Sequence, residues 1–475
     1  MKKLKILNLF ITGILIILST ILFSILFFLK IIPLKYFIIL SIIYLLFLIF
    51  ISYITIRKQV TKIKRILIIF LSMIIIFFLG FAFYYLNHTI KFMTSIKSKE
   101  YQIEEYYVLV RKSSTYQTLS DINNQTIATY QNQVKDYTTN LEKITNEIAI
   151  KEKEYPNHIE ASQALLNHEI ESLFISSSYK AISDEEIENF KDNVRILSKE
   201  QVKISSESIT SNKKDITQES INIYISGIDI SGDISLVSRS DVNMMMTLNP
   251  KTHQILLTSI PRDYYVQLHG TTSYKDKLTH SGIYGINMTV MTVEDLLDIK
   301  IDYYVRLNFT TLTNLVDEID GIEVYSDKSF RAWTNSKCTF EKGLMHLDGK
   351  CALAFARERY AYEEGDRHRI QNQQDVVKAI LNKTLTSKVL IMNYKNILET
   401  LSNSFQTNLP TEDIYKLINL QLETMPTWKT EQIRLDGYDA SNYTYTYPTQ
   451  HLYVMEPNQK TIEDAKQKIK DVMNH

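Results

Sequence analysis

The chain has 475 residues, with 53 Lys plus Arg set against 53 Asp plus Glu. That length allows two or three domains, and a formal charge of zero leaves no global field to attract nucleic acid. The balance hides an asymmetry, because the N-terminal end is dominated by Ile, Leu and Phe while the remainder reads as a soluble protein.

Three apolar runs, Leu4–Leu29, Tyr36–Ile56 and Ile66–Leu86, are long enough to span a bilayer. The first is too long for a secretory signal and lacks its small-residue cleavage site. Lys2, Lys3 and Lys5 cluster at the start of the first run, and Arg57, Lys58, Lys62, Lys64 and Arg65 separate the second from the third. The loop between the first two holds only Lys30 and Lys35. The positive-inside rule then predicts a cytoplasmic N-terminus and an exported chain beyond Leu86. Apart from Lys5 at the edge of the first, no Asp, Glu, Lys, Arg or His falls inside a run, which suits an anchor (residues 1–96) better than a transport path.

Residues 97–217 predict a small extracellular α/β module. Strand patterns lie at Thr126–Tyr130, Ser172–Ser176 and Arg195–Ile204, and helical ones at Tyr137–Lys153, Ile159–Ile170 and near Asp184–Phe190. No constellation there reads as chemistry, so a spacer or partner-binding role is favoured over catalysis. The polar, Ser/Thr-rich run Ser205–Ser220 is the natural linker.

Residues 218–475 predict a larger α/β domain. Ile221–Ile225 alternates as a strand and runs into Gly227-Ile228-Asp229. Val242–Leu248 begins just after Arg239-Ser240-Asp241, and Gln254–Ile260 ends in Pro261-Arg262-Asp263. Asp229, Asp241 and Arg262 thus fall at strand ends, where open α/β sheets bind ligands. Helices are expected near Met288–Leu297, Phe309–Ile319, Gly349–Phe355, Arg369–Leu385, Val389–Ser402, Glu412–Glu423 and Thr461–Val472. Strands are expected at Asp302–Leu307, Ile322–Tyr325, Ile433–Leu435 and Leu452–Met455. Two cysteines, Cys338 and Cys351, in an oxidising compartment favour a disulfide over two free thiols. Closing that loop is worth about 3 kcal/mol in the chain-entropy account. With no CxxC and no His/Cys cluster, a zinc site is not expected.

The densest charge pattern is Ala356–Gln374, with Arg357, Arg359, Arg367 and Arg369, a Gly365-Asp366 turn and Gln373-Gln374. Arg357 and Arg359 would face one way in extended chain. Arg369 and Gln373 share a helix face near its N-terminus. Forked guanidinium donors beside a helix start suit a phosphate or pyrophosphate. A solvated charged face, given Glu358, Glu363 and Glu364 in between, is the competing reading. Tyr443, Tyr445 and Tyr447 suggest loop or edge-strand packing ahead of a sugar-stacking platform.

In this order, G-I-D (Gly227–Asp229), R-S-D (Arg239–Asp241), S-I-P-R-D (Ser259–Asp263), K-L-T-H (Lys277–His280) and A-R-E-R-Y…G-D-x-x-R…Q-Q resemble the motifs of the LytR-CpsA-Psr family. The resemblance covers about Ser220 to Lys388; the three-run anchor and extra module resemble its streptococcal capsule (CpsA-type) branch. It implies an α/β/α sandwich around a mixed central sheet, with an apolar pocket for a polyprenyl chain. It implies an extracellular phosphotransferase that moves a glycopolymer, here capsular polysaccharide, from undecaprenyl pyrophosphate to peptidoglycan through a phosphodiester. It places a divalent metal, Mg²⁺ or Mn²⁺, on Asp229 and Asp241, and the pyrophosphate on Arg239, Arg262, Arg357, Arg359 and Arg369 with Gln373. Arg262, Asp241 and Asp366 become the catalytic set, with Asp263 as a second candidate base. One position departs, because Asn372 stands where the family commonly has Arg, and Arg367 is an extra guanidinium nearby. A non-catalytic sensor or regulator working with capsule assembly proteins is the alternative. A DNA-binding attenuator would need more than Arg57–Arg65, which is too short for a recognition module.

Overall fold

The computed structural model describes residues 2–29, 32, 34–57, 59–95, 101–131, 137–205, 214–229, 233–386, 396–397 and 405–474. Most of the expected helix Val389–Ser402, all but residues 396–397, and much of the linker Ser205–Ser220 lie outside the described residues. The chain forms two compact units: Met1–Lys97 with Thr384–Asn403 and Pro410–Thr427, and Ser98–Lys383 with Ser404–Leu409 and Trp428–His475.

In the first unit, α1 (Lys2–Leu29), α2 (Leu34–Ile56) and α3 (Lys62–Ser95) are all long and apolar enough to cross a membrane. Leu15, Ile51 and Ile68 meet between them, while Phe10, Phe28 and Phe77 point outward. Such a surface is stable only in lipid. Inside the bundle the hydroxyls of Thr12 and Thr55 lie 3.3 Å apart, whereas the Asn8 amide and the Ser72 hydroxyl are buried without a hydrogen-bond partner. Arg65 donates to the Arg57 carbonyl at 2.9 Å. The helix Thr411–Thr424 belongs to this unit.

The second unit opens with a five-stranded sheet ordered β3-β2-β4-β1-β5. Its elements are β1 (Tyr101–Arg111), β2 (Thr126–Tyr130), α4 (Tyr137–Glu147), β3 (Lys151–Tyr155), α5 (His158–Leu166), β4 (Ser172–Ser176), α6 (Ser177–Glu186), α7 (Phe190–Asn193) and β5 (Val194–Ser205). Three expectations need correction. The helix over Tyr137–Lys153 stops at Glu147, and Lys151–Tyr155 is a strand parallel to β2. Its Lys-Glu-Lys-Glu run favours helix by propensity, and the tertiary ladder overrides it. The helix near Asp184–Phe190 instead begins at Ser177, because the Ser176 hydroxyl accepts the Tyr179 N–H as an N-cap. β1, which pairs with both β4 and β5, has no counterpart in the sequence reading.

The larger module follows. In chain order it comprises β6 (Ile221–Ile228), β7 (Val242–Asn249), β8 (Gln254–Ile260), β9 (Tyr265–Val266), β10 (Asp276–Lys277), α8 (Ile286–Leu297), β11 (Tyr303–Asn308), α9 (Phe309–Glu318), β12 (Ile322–Ser326), β13 (Phe330–Arg331), β14 (Thr339–Phe340) and β15 (Gly343–Leu347). Then come α10 (Gly349–Arg357), α11 (Asp366–Thr386), β16 (Phe405–Thr407), β17 (Lys429–Arg434), β18 (Gly437–Asn442), β19 (Leu452–Pro457) and the C-terminal helix Gln459–Asn474. Its central sheet is mixed, ordered β16-β11-β6-β7-β8-β17. β6 runs parallel to β11 and antiparallel to β7, and β8 runs parallel to β17. On one face Tyr224, Met245 and Leu256 pack against Val290 and Val293 of α8 and Ile462 and Ile469 of the C-terminal helix. On the other, Ile225 meets Leu312 of α9, Leu353 of α10 and Val376 of α11 around a cavity. The result is an α/β/α sandwich. Gly349 is needed where α10 meets α9, since a Cβ there would sit 2.0 Å from the Thr313 carbonyl oxygen.

Cys338 and Cys351 are joined, with Cα atoms 5.4 Å apart. The bridge ties the segment after β13 to the first turn of α10, where the Asp348 carboxylate accepts the Cys351 N–H at 2.8 Å. Replacing both cysteines by Ser should lower unfolding stability by about 3 kcal/mol, read as a lower denaturation midpoint with unchanged slope.

Glu104 on β1 is buried, and the Ser178 hydroxyl donates to it at 3.2 Å. Burial pushes its carboxyl up from 4.5 to about 8, only partly offset by hydrogen bonds from Ser176 and Ser178. The folded chain therefore holds a proton that the unfolded chain releases near 4.5. This contribution is fully present below 4.5 and is lost as pH rises to about 8. Thermal midpoints measured across that window should fall with pH in the wild type and fall less in Glu104→Gln. Parallel curves for the two proteins would refute a neutral Glu104.

Candidate anion-binding site at the strand ends

β6 ends, β7 begins and β8 ends at one edge of the sheet, because β7 is antiparallel to both neighbours. That brings Asp229, Asp241 and Arg262 together. The Asp241 N–H donates to the Gly227 carbonyl at 2.8 Å, and the Thr279 N–H to the Arg262 carbonyl at 2.8 Å. The Ser240 N–H donates to the Thr279 carbonyl at 3.1 Å, so the segment carrying Lys277–His280 clamps both loops. Gly282 is required beneath the Arg239 loop: a Cβ there would lie 2.6 Å from the Ser238 oxygen and 2.7 Å from the Ser240 nitrogen.

At the centre, Arg262 Nη1 donates to Asp241 Oδ1 at 2.7 Å, with both side chains largely buried. Thr279 donates to the same oxygen at 3.4 Å. Burial alone would raise Asp241, but Arg239 and Arg262 outweigh it and hold the carboxyl at about 2. Burial pulls Arg262 down, and the charges of Asp241, Asp263 and Asp366 more than reverse it. Asp229 is pushed up, first by burial and then by the charge of Asp241. Arg369 is pulled down, first by burial and then by repulsion from Arg262. Its Nε is buried without a hydrogen-bond partner. A desolvated cluster of guanidinium groups that repel one another, with an unpaired donor, is relieved by an anion.

These groups form the mouth of a cavity of about 110 Å³. Asp229, Asp241, Arg262, Arg357, Arg369 and Gln373 line the mouth, and Ile225, Ile228, Leu312, Leu353 and Val376 belong to its apolar wall. The sequence did not reveal this cavity, because apolar helix faces look alike whether they line a pit or a core. Arg369 and Gln373 enter from the first turns of α11, whose N-terminus adds a positive end. Arg357 closes α10, lies over the Phe309 ring at 4.3 Å and reaches Asp229 at 3.4 Å. It is helical, so the expected extended alignment with Arg359 does not form. Arg359 follows the helix end, donates to the Tyr360 hydroxyl at 2.7 Å and lies over that ring. It is not among the cavity-lining residues.

Asp366 pairs with Arg369 at 2.7 Å, and Asp263 lies 3.5 Å from Arg262 and 3.9 Å from Lys277. Arg367 turns away to Asp436 and Asp439, at 3.3 and 3.0 Å. Asn372 is buried and donates to the Phe355 carbonyl at 3.2 Å. Arg367 therefore does not replace a cavity guanidinium, and Asn372 serves the seam between α10 and α11. Gln374 bonds the carbonyls of Leu257 and Ile433 at the β8–β17 seam.

Sequence reasoning missed Glu185. It projects from α6 of the smaller module and pairs with Arg239, and lies 3.5 Å from Arg262. No motif marks it, because its role depends on how the two modules meet. Asp229 and Asp241 fit a hard divalent cation by chemistry: two carboxylates line one cavity mouth, and one is raised by the other's charge. Among the described residues no group of three or more His, Cys, Asp or Glu converges. A Mg²⁺ or Mn²⁺ ion would thus take its other ligands from substrate phosphate and water.

Fold and site define a mixed α/β protein with a guanidinium-lined anion site opening onto an apolar cavity. Residues 182–468 match the LytR_cpsA_psr family, well over half of the chain, and the chain belongs to that family. It is 34% identical over 263 residues to the polyisoprenyl-teichoic acid–peptidoglycan teichoic acid transferase TagT of Bacillus subtilis (strain 168), covering 54% of this chain and 77% of that protein. The corresponding TagU enzyme of Bacillus cereus (strain ATCC 14579) is 32% identical over 230 residues, covering 48% of this chain and 73% of that protein. Among solved structures, TagT bound to LIIa-WTA has a TM-score of 0.46 at 30% identity and covers 56% of this chain and 94% of that one.

Glu185 faces the guanidinium groups of Arg239 and Arg262 that an incoming anion would need. Glu185→Gln should tighten binding of inorganic pyrophosphate by up to about fivefold, the worth of one partly exposed ion pair. Calorimetric titration of the full-length protein would read it, and weaker binding in the variant would overturn this expectation.

Proposed function

We propose that the chain is a membrane-anchored phosphotransferase that moves a glycopolymer from undecaprenyl pyrophosphate to peptidoglycan through a phosphodiester. Capsular polysaccharide is the polymer in this reading. The observation that carries it is the guanidinium cluster of Arg262, Arg369 and Arg357 at the mouth of an apolar cavity. A pyrophosphate with a prenyl tail presents the same two chemistries in the same order. The names of the relatives support it, since they are transferases of polyisoprenyl-linked teichoic acid to peptidoglycan. The basic residues flanking the three membrane helices favour a cytoplasmic N-terminus and an extracellular site.

In this reading Arg239, Arg262 and Arg369 hold the pyrophosphate oxygens, and Arg359 joins them by turning from Tyr360. Arg357 and Gln373 border the phosphate nearer the cavity. The acceptor sugar hydroxyl attacks the phosphorus joined to the polymer. The bond from that phosphorus to the bridging oxygen breaks, and polyprenyl phosphate leaves. The arginines stabilise the charge that gathers on the bridging and equatorial oxygens. The hydroxyl proton passes to a carboxylate. Asp366, with its side chain 29% exposed, is better placed for this than Asp263 at 10%, which is held between Arg262 and Lys277. A Mg²⁺ or Mn²⁺ ion held by Asp229 and Asp241 would supply Lewis-acid stabilisation of the phosphates.

Full-length protein with a polyprenyl pyrophosphate should release polyprenyl phosphate in Mg²⁺ and stop when EDTA removes the metal. Asp241→Ala and Arg262→Ala should each reduce turnover at least about a hundredfold. Undiminished turnover in EDTA would refute the metal role. Lipid binding without turnover would refute catalysis and favour a non-catalytic sensor of lipid-linked polymer.

A further inference from the structure

A cavity of about 580 Å³ lies between the smaller and larger modules of the second unit. Its size is within the roughly 300–1,000 Å³ of small-molecule sites. Tyrosine rings line it from both sides: Tyr130 and Tyr179 from the smaller module, Tyr284 and Tyr445 from the larger. The hydroxyls of Tyr179 and Tyr284 lie 3.4 Å apart, and Tyr284 meets Thr446 at 3.1 Å. Tyr130 and Tyr179 are buried in the core of the smaller module, whereas Tyr284 and Tyr445 are half-buried and offer aromatic faces beside polar tips. Glu152 and Glu154 alternate along the exposed strand β3 and so share one side of it. Their carboxylates offer paired acceptors.

Deeper in the cleft, His158 is 2% exposed, and its Nε2 is buried without a hydrogen-bond partner. Its ring is held against Tyr179, with centroids 4.5 Å apart. Burial and the charge of His280 pull it down to about 3, so it is neutral and able to bond a hydroxyl. An orphaned buried nitrogen is destabilising unless a ligand satisfies it.

The cleft communicates with the arginine cluster through two consecutive residues. Asp276 accepts the Thr446 N–H at the cleft wall at 2.7 Å. Lys277 bonds Glu186 at 3.3 Å and faces Asp263, the neighbour of Arg262.

We propose that this cleft is a glycan-binding subsite that takes a short stretch of neutral or amino-substituted sugars. Aromatic faces receive the C–H faces of the sugar rings, and the carboxylates and His158 bond their hydroxyls. The acidic rim rejects a stretch that carries phosphates. The proposal rests on the transferase reading for the source of the glycan, which is either the wall strand that accepts or the polymer that is carried.

The test is calorimetric titration of full-length protein in a detergent without a sugar headgroup. One arm uses the N-acetylglucosamine tetramer, the backbone chemistry of a wall strand. The second uses polymer released from the producing organism's lipid-linked pool by mild acid, and a third uses a glycerol-phosphate oligomer. Binding in the first arm assigns the cleft to the acceptor, and binding in the second to the donor polymer. Binding in neither, or binding of the glycerol-phosphate oligomer alone, overturns the proposal. Tyr445→Ala and the exposed-strand change Glu154→Gln should each weaken the bound glycan at least tenfold, and wild-type affinity in both would also overturn it. Asp241→Ala should bind glycan as the wild type does. Glycan binding without turnover of polyprenyl pyrophosphate leaves the cleft standing and removes the transferase reading. Turnover without glycan binding does the reverse.

Discussion

The ion pair between Asp241 and Arg262 is the contact on which the site depends. It joins the start of β7 to the end of β8, and the Asp241 N–H ties both to the end of β6. One residue thereby ties three strand ends together, through its carboxylate and its backbone N–H. It also sits among Arg239, Arg262 and Arg369, and their combined charge keeps it ionised against burial. Removing such a partner from a desolvated pair leaves an uncompensated guanidinium, which costs far more than the pair contributes. The same arithmetic bears on Arg369, which is repelled by Arg262 and has an unpaired Nε, a donor that an anion would satisfy.

The smaller module is part of this electrostatic unit. The Ile103 N–H on β1 donates to the Ser235 carbonyl at 2.8 Å, and the Val237 N–H donates to the Ile103 carbonyl at 2.8 Å. On the other side of that loop, Arg306 from β11 is fully buried and donates to the carbonyls of Ile234 and Leu236 at 3.0 and 2.9 Å. Burial pulls its guanidinium down to about 10. The loop that presents Arg239 is thus gripped between β1 of one module and β11 of the other. Glu185 then reaches Arg239 and Arg262 from the same side.

Much of the larger module was legible because its signals are local. Ile221–Ile225 alternates, turns punctuate Asn249-Pro250-Lys251, and the three motifs at strand ends stand next to their strands in sequence. The membrane helices were legible for the same reason, since length and composition suffice. What was hidden depends on contacts between distant segments. Lys151–Tyr155 carries charged, helix-favouring residues and becomes a strand only because β2 lies beside it. β1 took its place from pairing with both β4 and β5. Glu185, Arg359 and the cavity wall could not be assigned without three-dimensional proximity. Asp241 and Arg262 could, because strand termini converge by topology alone.

Asn372 shows how the packing of the helices limits the charge of the site. Its amide is buried at the seam between α11 and the end of α10, and it satisfies the Phe355 carbonyl two residues before Arg357. A guanidinium buried there would add repulsion to Arg369, which burial and Arg262 already disfavour. A neutral amide instead secures the helix end from which Arg357 reaches Asp229. Arg367 cannot make up the difference from one turn earlier, because the Asp436 and Asp439 carboxylates and the Gly437 carbonyl already take its donors. The number of positive charges at the cavity mouth is therefore set by the α10–α11 seam: an arginine fits where a carboxylate or an incoming anion can face it, and an amide serves where only a backbone carbonyl is in reach.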